Sequence, residues 1–262
     1  MPKDRYSTVI DFGSYELRLA VFDENLSKLF FQSKKILQKN NHREYFESIN
    51  LLIKQAENKI SSHLENLIIL YDSADTYSID LSIKKKLDQK ISFKDFYSSI
   101  ILEATQLIND CYTNKKIIHS IIKKYIINDK EFLDIPKELI EINTAIVEIK
   151  FICLPYNEYN NIIEIFKKSN LKVINFFSSS LVKSFNYINF FKDNNSIVFL
   201  DIGLDRATAI FFNEQKLDLL KSISIGGNHI SKDISQIIKL SIEDSESLKK
   251  SFNKSEIDFS YD

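Results

Sequence analysis

Two stretches of this chain align without a gap at an offset of 190 residues. "IDFGSYELRLAVFDENLSKL" begins at Ile10, and "LDIGLDRATAIFFNEQKLDL" begins at Leu200. Asp11 falls on Asp201, Gly13 on Gly203, Phe22 on Phe212 and Glu24 on Glu214. Each copy reads as strand, glycine turn, strand. A repeat at this spacing predicts two related halves, each opening with a β-hairpin.

Glycine is scarce, with 4 in 262 residues, so its placement is informative. All fall at Gly13, Gly203 and the pair Gly226-Gly227. Glycine admits positive φ or the close approach of another group. A glycine turn can aim backbone N–H groups into the gap between the halves, where they can hold phosphate oxygens. Asp11 and Asp201, at the strand ends, can hold the hydration shell of Mg²⁺.

Between the repeats the periodicity alternates. "KLFFQSKKIL" reads as a third strand. Phe46, Ile49, Leu52, Ile53, Ala56 and Ile60 recur at helical spacing, and "NLIILYD" suits a buried strand. From about Thr76 the order becomes strand ("SIDLSIKKKL"), helix, strand ("KIIHSIIKKYIIN") and strand ("TAIVEIKFICL"). The helix opens at Ser92 with a "SFKD" cap, and Pro136 lies in a polar loop before the last strand. In that strand Ala145, Val147, Ile149, Phe151 and Cys153 alternate with other residues. A helix with Ile162, Ile163 and Phe166 on one face follows, then strand "LKVINFF" and a helix opening on Ser178-Ser179-Ser180. That junction is read as an ordinary βα connection. After the second hairpin come two helices, "GGNHISKDISQIIKL" and "SIEDSESLKKSF".

Bulk properties exclude several classes. The formal net charge is −1, so no global field recruits nucleic acid. Two cysteines make no disulfide framework, and a reducing compartment is the simpler expectation. No stretch approaches the roughly 20 apolar residues of a membrane span, and the N-terminus lacks a signal-peptide apolar core. The acidic "KSEIDFSYD" end is a poor membrane anchor. The expected location is cytoplasmic.

The two hairpin motifs resemble the phosphate motifs of the actin-like ATPase superfamily. The inserted strand-helix-strand-strand unit and the "SISIGGNHISKDISQIIKLSIEDSESLKK" stretch resemble FtsA, the bacterial cell division protein. The resemblance implies an α/β fold of repeated actin-like (ribonuclease H-like) halves with a small α+β insert of the SHS2 type. It implies a first half at 5–76 plus 156–195, the insert at 77–155, and an incomplete second half at 196–262. Such a protein is expected to self-associate through the insert and to link the FtsZ ring to other division proteins. Its place would be the inner face of the membrane at the division site. ATP and Mg²⁺ are the implied ligands, at Asp11, Gly13, Ser14, Asp201, Gly203, Arg206, Gly226 and Gly227. A pilus-assembly protein of the PilM type and a working actin-type ATPase are the alternatives.

The motifs depart from the family pattern. Glu16 stands where a phosphate-facing lysine is usual. Leu204, Asp205, Arg206 and Thr208 replace two glycines, a threonine and an aspartate. Carboxylates beside a triphosphate repel it by on the order of several kcal/mol. Arg206 is expected to offset this by pairing with phosphate or with Glu16. The site is therefore read as degenerate, with little or no hydrolysis.

The remaining residues suggest structural roles. His42, His63, His119 and His229 lack metal-ligand spacing. Cys111 and Cys153 are expected to be buried small residues. Ser178-Ser179-Ser180 lacks the hydrolase elbow. Lys84–Lys86 are read as a solvated strand edge.

Overall fold

A computed structural model of the chain describes residues 6–36, 42–86, 93–133, 144–169, 171–191 and 195–252. The expected "SFKD" cap at Ser92, the Pro136 loop and the acidic end from Lys254 lie outside these residues.

The first sheet has strand order β3-β2-β1-β4-β9. It is built from β1 (Ser7–Phe12), β2 (Glu16–Phe22), β3 (Lys28–Lys35), β4 (Asn66–Leu70) and β9 (Lys172–Phe177). The β1–β2–β3 meander is antiparallel, because short turns join its strands. β4 and β9 run parallel to β1, each arriving after a helical crossover. Helices α1 (His42–Ile60) and α3 (Tyr156–Lys167) cover the sheet with Ile49, Leu52, Ala56, Ile162 and Phe166, all buried. Five fully buried Ile or Leu side chains of β1, β2 and β4 meet them. Each large aliphatic side chain withdrawn this way contributes roughly 1.5–3 kcal/mol.

The second sheet repeats the first meander in β10 (Ser196–Ile202), β11 (Ala207–Asn213) and β12 (Lys216–Ile223). The repeat extends to an irregularity of pairing. β2 pairs with β3 through a register shift at Val21/Phe22, and β11 pairs with β12 through one at Phe211/Phe212. These sites are 190 residues apart, the sequence offset. Helix α4 (Ser179–Ile188) follows β9 and packs on this second sheet, with Phe185 edge-on to Phe212 at 5.6 Å. α5 (Gly227–Ile238) and α6 (Ile242–Phe252) form a helical pair beyond β12.

A four-stranded antiparallel sheet of order β5-β8-β6-β7 stands apart with its own core. Its strands are β5 (Tyr77–Lys86), β6 (Lys115–Ile127), β7 (Lys130–Phe132) and β8 (Thr144–Pro155). The short β7, hairpinned onto β6, and β12 of the second sheet are strands the sequence reading did not give. Helix α2 (Phe93–Cys111) lays Phe96, Ile100, Ala104 and Ile108 against Val147, Ile149, Phe151 and Cys153. The alternation along β8 is thus real, and its opposite face is used too. Ile152 and Leu154 enter the main core, which is how this sheet is joined to the rest. β5 is an outer strand carrying Lys84–Lys86, with Lys85 paired to Glu103. Cys153 is buried, but Cys111 is exposed at the end of α2, contrary to expectation. Helical spacing sets that position on the same side as the Phe96–Ile108 stripe, but it is the last residue of α2 and lies past Ile108, where the buried stripe ends.

Candidate functional site

The two glycine turns face one cleft of about 410 Å³. Seven of the eight residues expected at the site line it: Asp11, Gly13, Ser14, Asp201, Gly203, Arg206 and Gly227. Gly226 is not among the lining residues; it packs behind the second turn. Each turn ends the corresponding strand of its sheet, and the packing of the two halves brings both turns to one cleft.

None of the glycines has positive φ, and at Gly13 and Gly226 the reason for glycine is close approach. A Cβ on Gly13 would lie 2.6 Å from the Glu16 carbonyl oxygen. At Gly226 it would lie 2.6 Å from Arg206 N and from Gly203 O. At the second turn the backbone amides expected to aim at phosphate are in use. Gly203 N–H donates to Arg206 O at 2.8 Å. At the start of α5, Gly227 N–H donates to Gly203 O (2.9 Å) and Asn228 N–H to Leu204 O (2.7 Å). The second turn therefore caps α5 with its own carbonyls.

The charged side chains of the cleft are likewise paired within the protein. Arg18 bridges Asp11 (2.9 Å) and Glu16 (2.8 Å). Ser33 Oγ donates to Glu16 at 2.6 Å. The Ser33 hydroxyl, with Arg18 beside it, holds the Glu16 carboxyl below its ordinary value. Lys183 Nζ contacts Asp201 at 2.9 Å. Burial pushes the Asp201 carboxyl up, but Lys183 and Ser180 outweigh it and leave the group lowered. Lys249 and Lys250 both reach Glu246, whose carboxyl lies at about 2. Burial opposes that shift as well; the two lysines and Ser231 carry it. The cleft is lined by five cationic and five anionic side chains, so no net field gathers a polyanion.

Two features escaped the sequence reading. Asp72, just after β4, is 7% exposed. It accepts from Ser178 Oγ (2.7 Å), Ser180 N–H (2.9 Å) and Ser180 Oγ (2.6 Å). The positive end of α4 thus already holds a carboxylate from its own chain. Ser179 Oγ donates to Asp11 at 2.9 Å. The carboxylate after "NLIILY" and the serine run were the available signals. Their joining required the β4–β9 pairing, which sets the two strand ends side by side.

Arg206 does not meet Glu16. Its guanidinium lies 5.3 Å from the centre of the Tyr71 ring, a cation–π contact. It forms a wall shared with a second cavity of about 250 Å³, lined also by Phe12, Tyr45, Tyr71 and Glu158. Burial pushes the Tyr71 hydroxyl up to about 12 despite Arg206. It also raises the Glu158 carboxyl, one of whose oxygens is buried without a hydrogen-bond partner.

Among the described residues no three carboxylate, imidazole or thiolate groups converge as metal ligands. Asp11 and Asp201 are instead tied to Ser179, Arg18, Ser180 and Lys183. These partners, with the occupied amides of the second turn, do not fit a magnesium-bound triphosphate as the residues stand.

Paired meanders flanking a cleft, with a separate small sheet, define an actin-like ATPase fold. The chain is similar to a chain of the "PilM-PilN type IV pilus biogenesis complex", with TM-score 0.63 and 11% identity over 95% of this chain and 70% of that one. It is also similar to the ethanolamine utilization protein EutJ from Carboxydothermus hydrogenoformans, with TM-score 0.51 and 12% identity over 95% of this chain and 62% of that one. Residues 198–258, spanning β10 to α6 and just beyond, match the family model for cell division protein FtsA. No curated protein matches the chain in sequence. The chain thus has the actin-like fold, and its stretch 198–258 is similar to FtsA. Among its described residues no helix is long and apolar enough to cross a membrane.

Proposed function

We propose that the protein is a cell-division scaffold of the FtsA kind. In this reading it links the FtsZ ring to other division proteins at the inner face of the membrane and self-associates through the inserted sheet. The observation that carries the reading is the family match over 198–258, on top of an actin-like fold. The cleft supports an assembly role over an enzymatic one. Its anionic groups are neutralised by Arg18, Lys183, Lys249 and Lys250, and its helix N-termini are filled by Asp72 and by the second turn. ATP and Mg²⁺ would have to displace these contacts, each charge-assisted hydrogen bond being worth roughly 1.5–3 kcal/mol.

Sedimentation with FtsZ polymers tests the reading. Co-pelleting that saturates with added protein is expected. Absence of co-pelleting by the full reading frame would remove the division role and leave the pilus-type alternative. Titration with a fluorescent ATP analogue and Mg²⁺ tests the state of the cleft. No saturation in the micromolar range is expected. Micromolar affinity abolished by Asp11→Ala would overturn the degenerate-site reading.

A further inference from the structure

The first turn of α4 touches three parts of the molecule at once. On one side His119, from β6 of the inserted sheet, accepts a hydrogen bond from Ser178 N–H at 2.9 Å. Its ring also lies 5.3 Å from that of Phe177. Burial depresses the imidazole to about 4, so it is neutral, as an accepting Nε2 requires. On the other side Ser179 reaches Asp11 of the first hairpin. Between them Ser178 and Ser180 hold Asp72.

Ser180 Oγ lies 2.6 Å from Asp72 Oδ2 and 2.9 Å from Asp201 Oδ2. A hydroxyl has one proton to donate, so full donation serves one of these carboxylates at a time. Lys183 decides the balance, because it satisfies Asp201 and leaves the Ser180 proton to the shorter contact with Asp72. Three consecutive serines thereby join the inserted sheet to the acidic residues of both hairpins.

We propose that this serine turn couples the cleft to the inserted sheet. A change that draws Ser180 away from Asp72 loosens the turn, shifts Ser178 N–H, and weakens the hold on His119. By reciprocity, displacement of the inserted sheet by a bound protein alters the setting of Asp11 and Asp201. The coupling stands on these hydrogen bonds and goes beyond the division reading.

Amide hydrogen exchange of the full chain tests it, with neither nucleotide nor partner present. Ser180→Ala should speed exchange in residues 117–122 of β6 at least fivefold. It should also raise the His119 titration midpoint toward 6.5, read by NMR of the imidazole Cε1–H. Lys183→Met, at an exposed position, frees Asp201 to compete for the Ser180 proton and should give a smaller change in the same direction. His119→Leu should act in reverse, speeding exchange at Gly13 and Gly203. Faster exchange confined to α4, with β6 and the His119 midpoint unchanged, would overturn the coupling. If Ser180→Ala does not fold, unchanged β6 exchange in Lys183→Met together with unchanged turns in His119→Leu would overturn it equally.

Discussion

Lowering the pH should loosen this protein through His119. The group is largely buried, faces Asp72 and Phe177, and uses Nε2 to accept from Ser178. Its folded value of about 4 lies below the unfolded 6.5. Between those values the unfolded chain binds the proton and the folded chain does not. Stability from the neutral imidazole is therefore complete above 6.5 and is lost as pH falls toward 4. At 1.36 kcal/mol per unit of pH, the whole gap is worth about 3 kcal/mol, and about 2.5 of that is lost by pH 4.5. Asp72 moderates the effect, since its charge favours the protonated ring. Urea denaturation at pH 7.0 and 4.5 measures it, comparing wild type with His119→Gln. The glutamine keeps an acceptor and cannot titrate. Wild type should lose about 2 kcal/mol more than the variant across this interval. Equal losses would refute the reasoning, because every other titrating group is common to both proteins. Glu246 and Asp201, with lowered values, affect mainly more acidic solutions.

Three further outcomes follow from contacts within the fold. Gly226→Ala places a Cβ 2.6 Å from two backbone atoms and should cost about 2–3 kcal/mol in urea midpoint analysis, whereas Gly227→Ala meets the Lys249 Nζ at 3.4 Å and Gly203 O at 3.7 Å and should cost under about 1 kcal/mol. Asp72→Ala strips three buried donor contacts from Ser178 and Ser180 and should cost about 3 kcal/mol, with the loss seen as a lowered thermal midpoint. Phe96→Ala empties the centre of the inserted sheet's core and should cost about 3–5 kcal/mol, with exchange rising first in β5, β6 and β8.

Much of the architecture was legible because periodicity survives divergence. Burying one face of a strand demands alternation, as at Ala145 to Cys153, whatever the homologues look like. The short β7 was not legible, since three residues carry no period. Cys111 was misread because a residue at the apolar spacing is still exposed when it ends its helix past the last buried position, Ile108. At the cleft, the paired turns were visible, but the partner of Glu16 was not. Arg18 lies two residues along β2, on the same strand face, and the β1–β2 register sets Asp11 opposite it.

By itself the sequence determined that two hairpins recur at one offset, that glycine is confined to their turns and to the start of α5, and that an α+β unit lies between them. These are local patterns, readable because side-chain direction follows backbone period. Tertiary structure alone decided what the turns do. Asp72, Ser178–Ser180 and His119 come from three distant stretches and meet only because β4 pairs with β9 while β6 packs alongside. Their hydrogen bonds fill the N-terminus of α4, as the second turn fills that of α5, and they tie Asp11 and Asp201 to the serine turn. Whether a repeated turn is open to a ligand depends on which groups of the same chain already occupy its donors, and that is a property of packing.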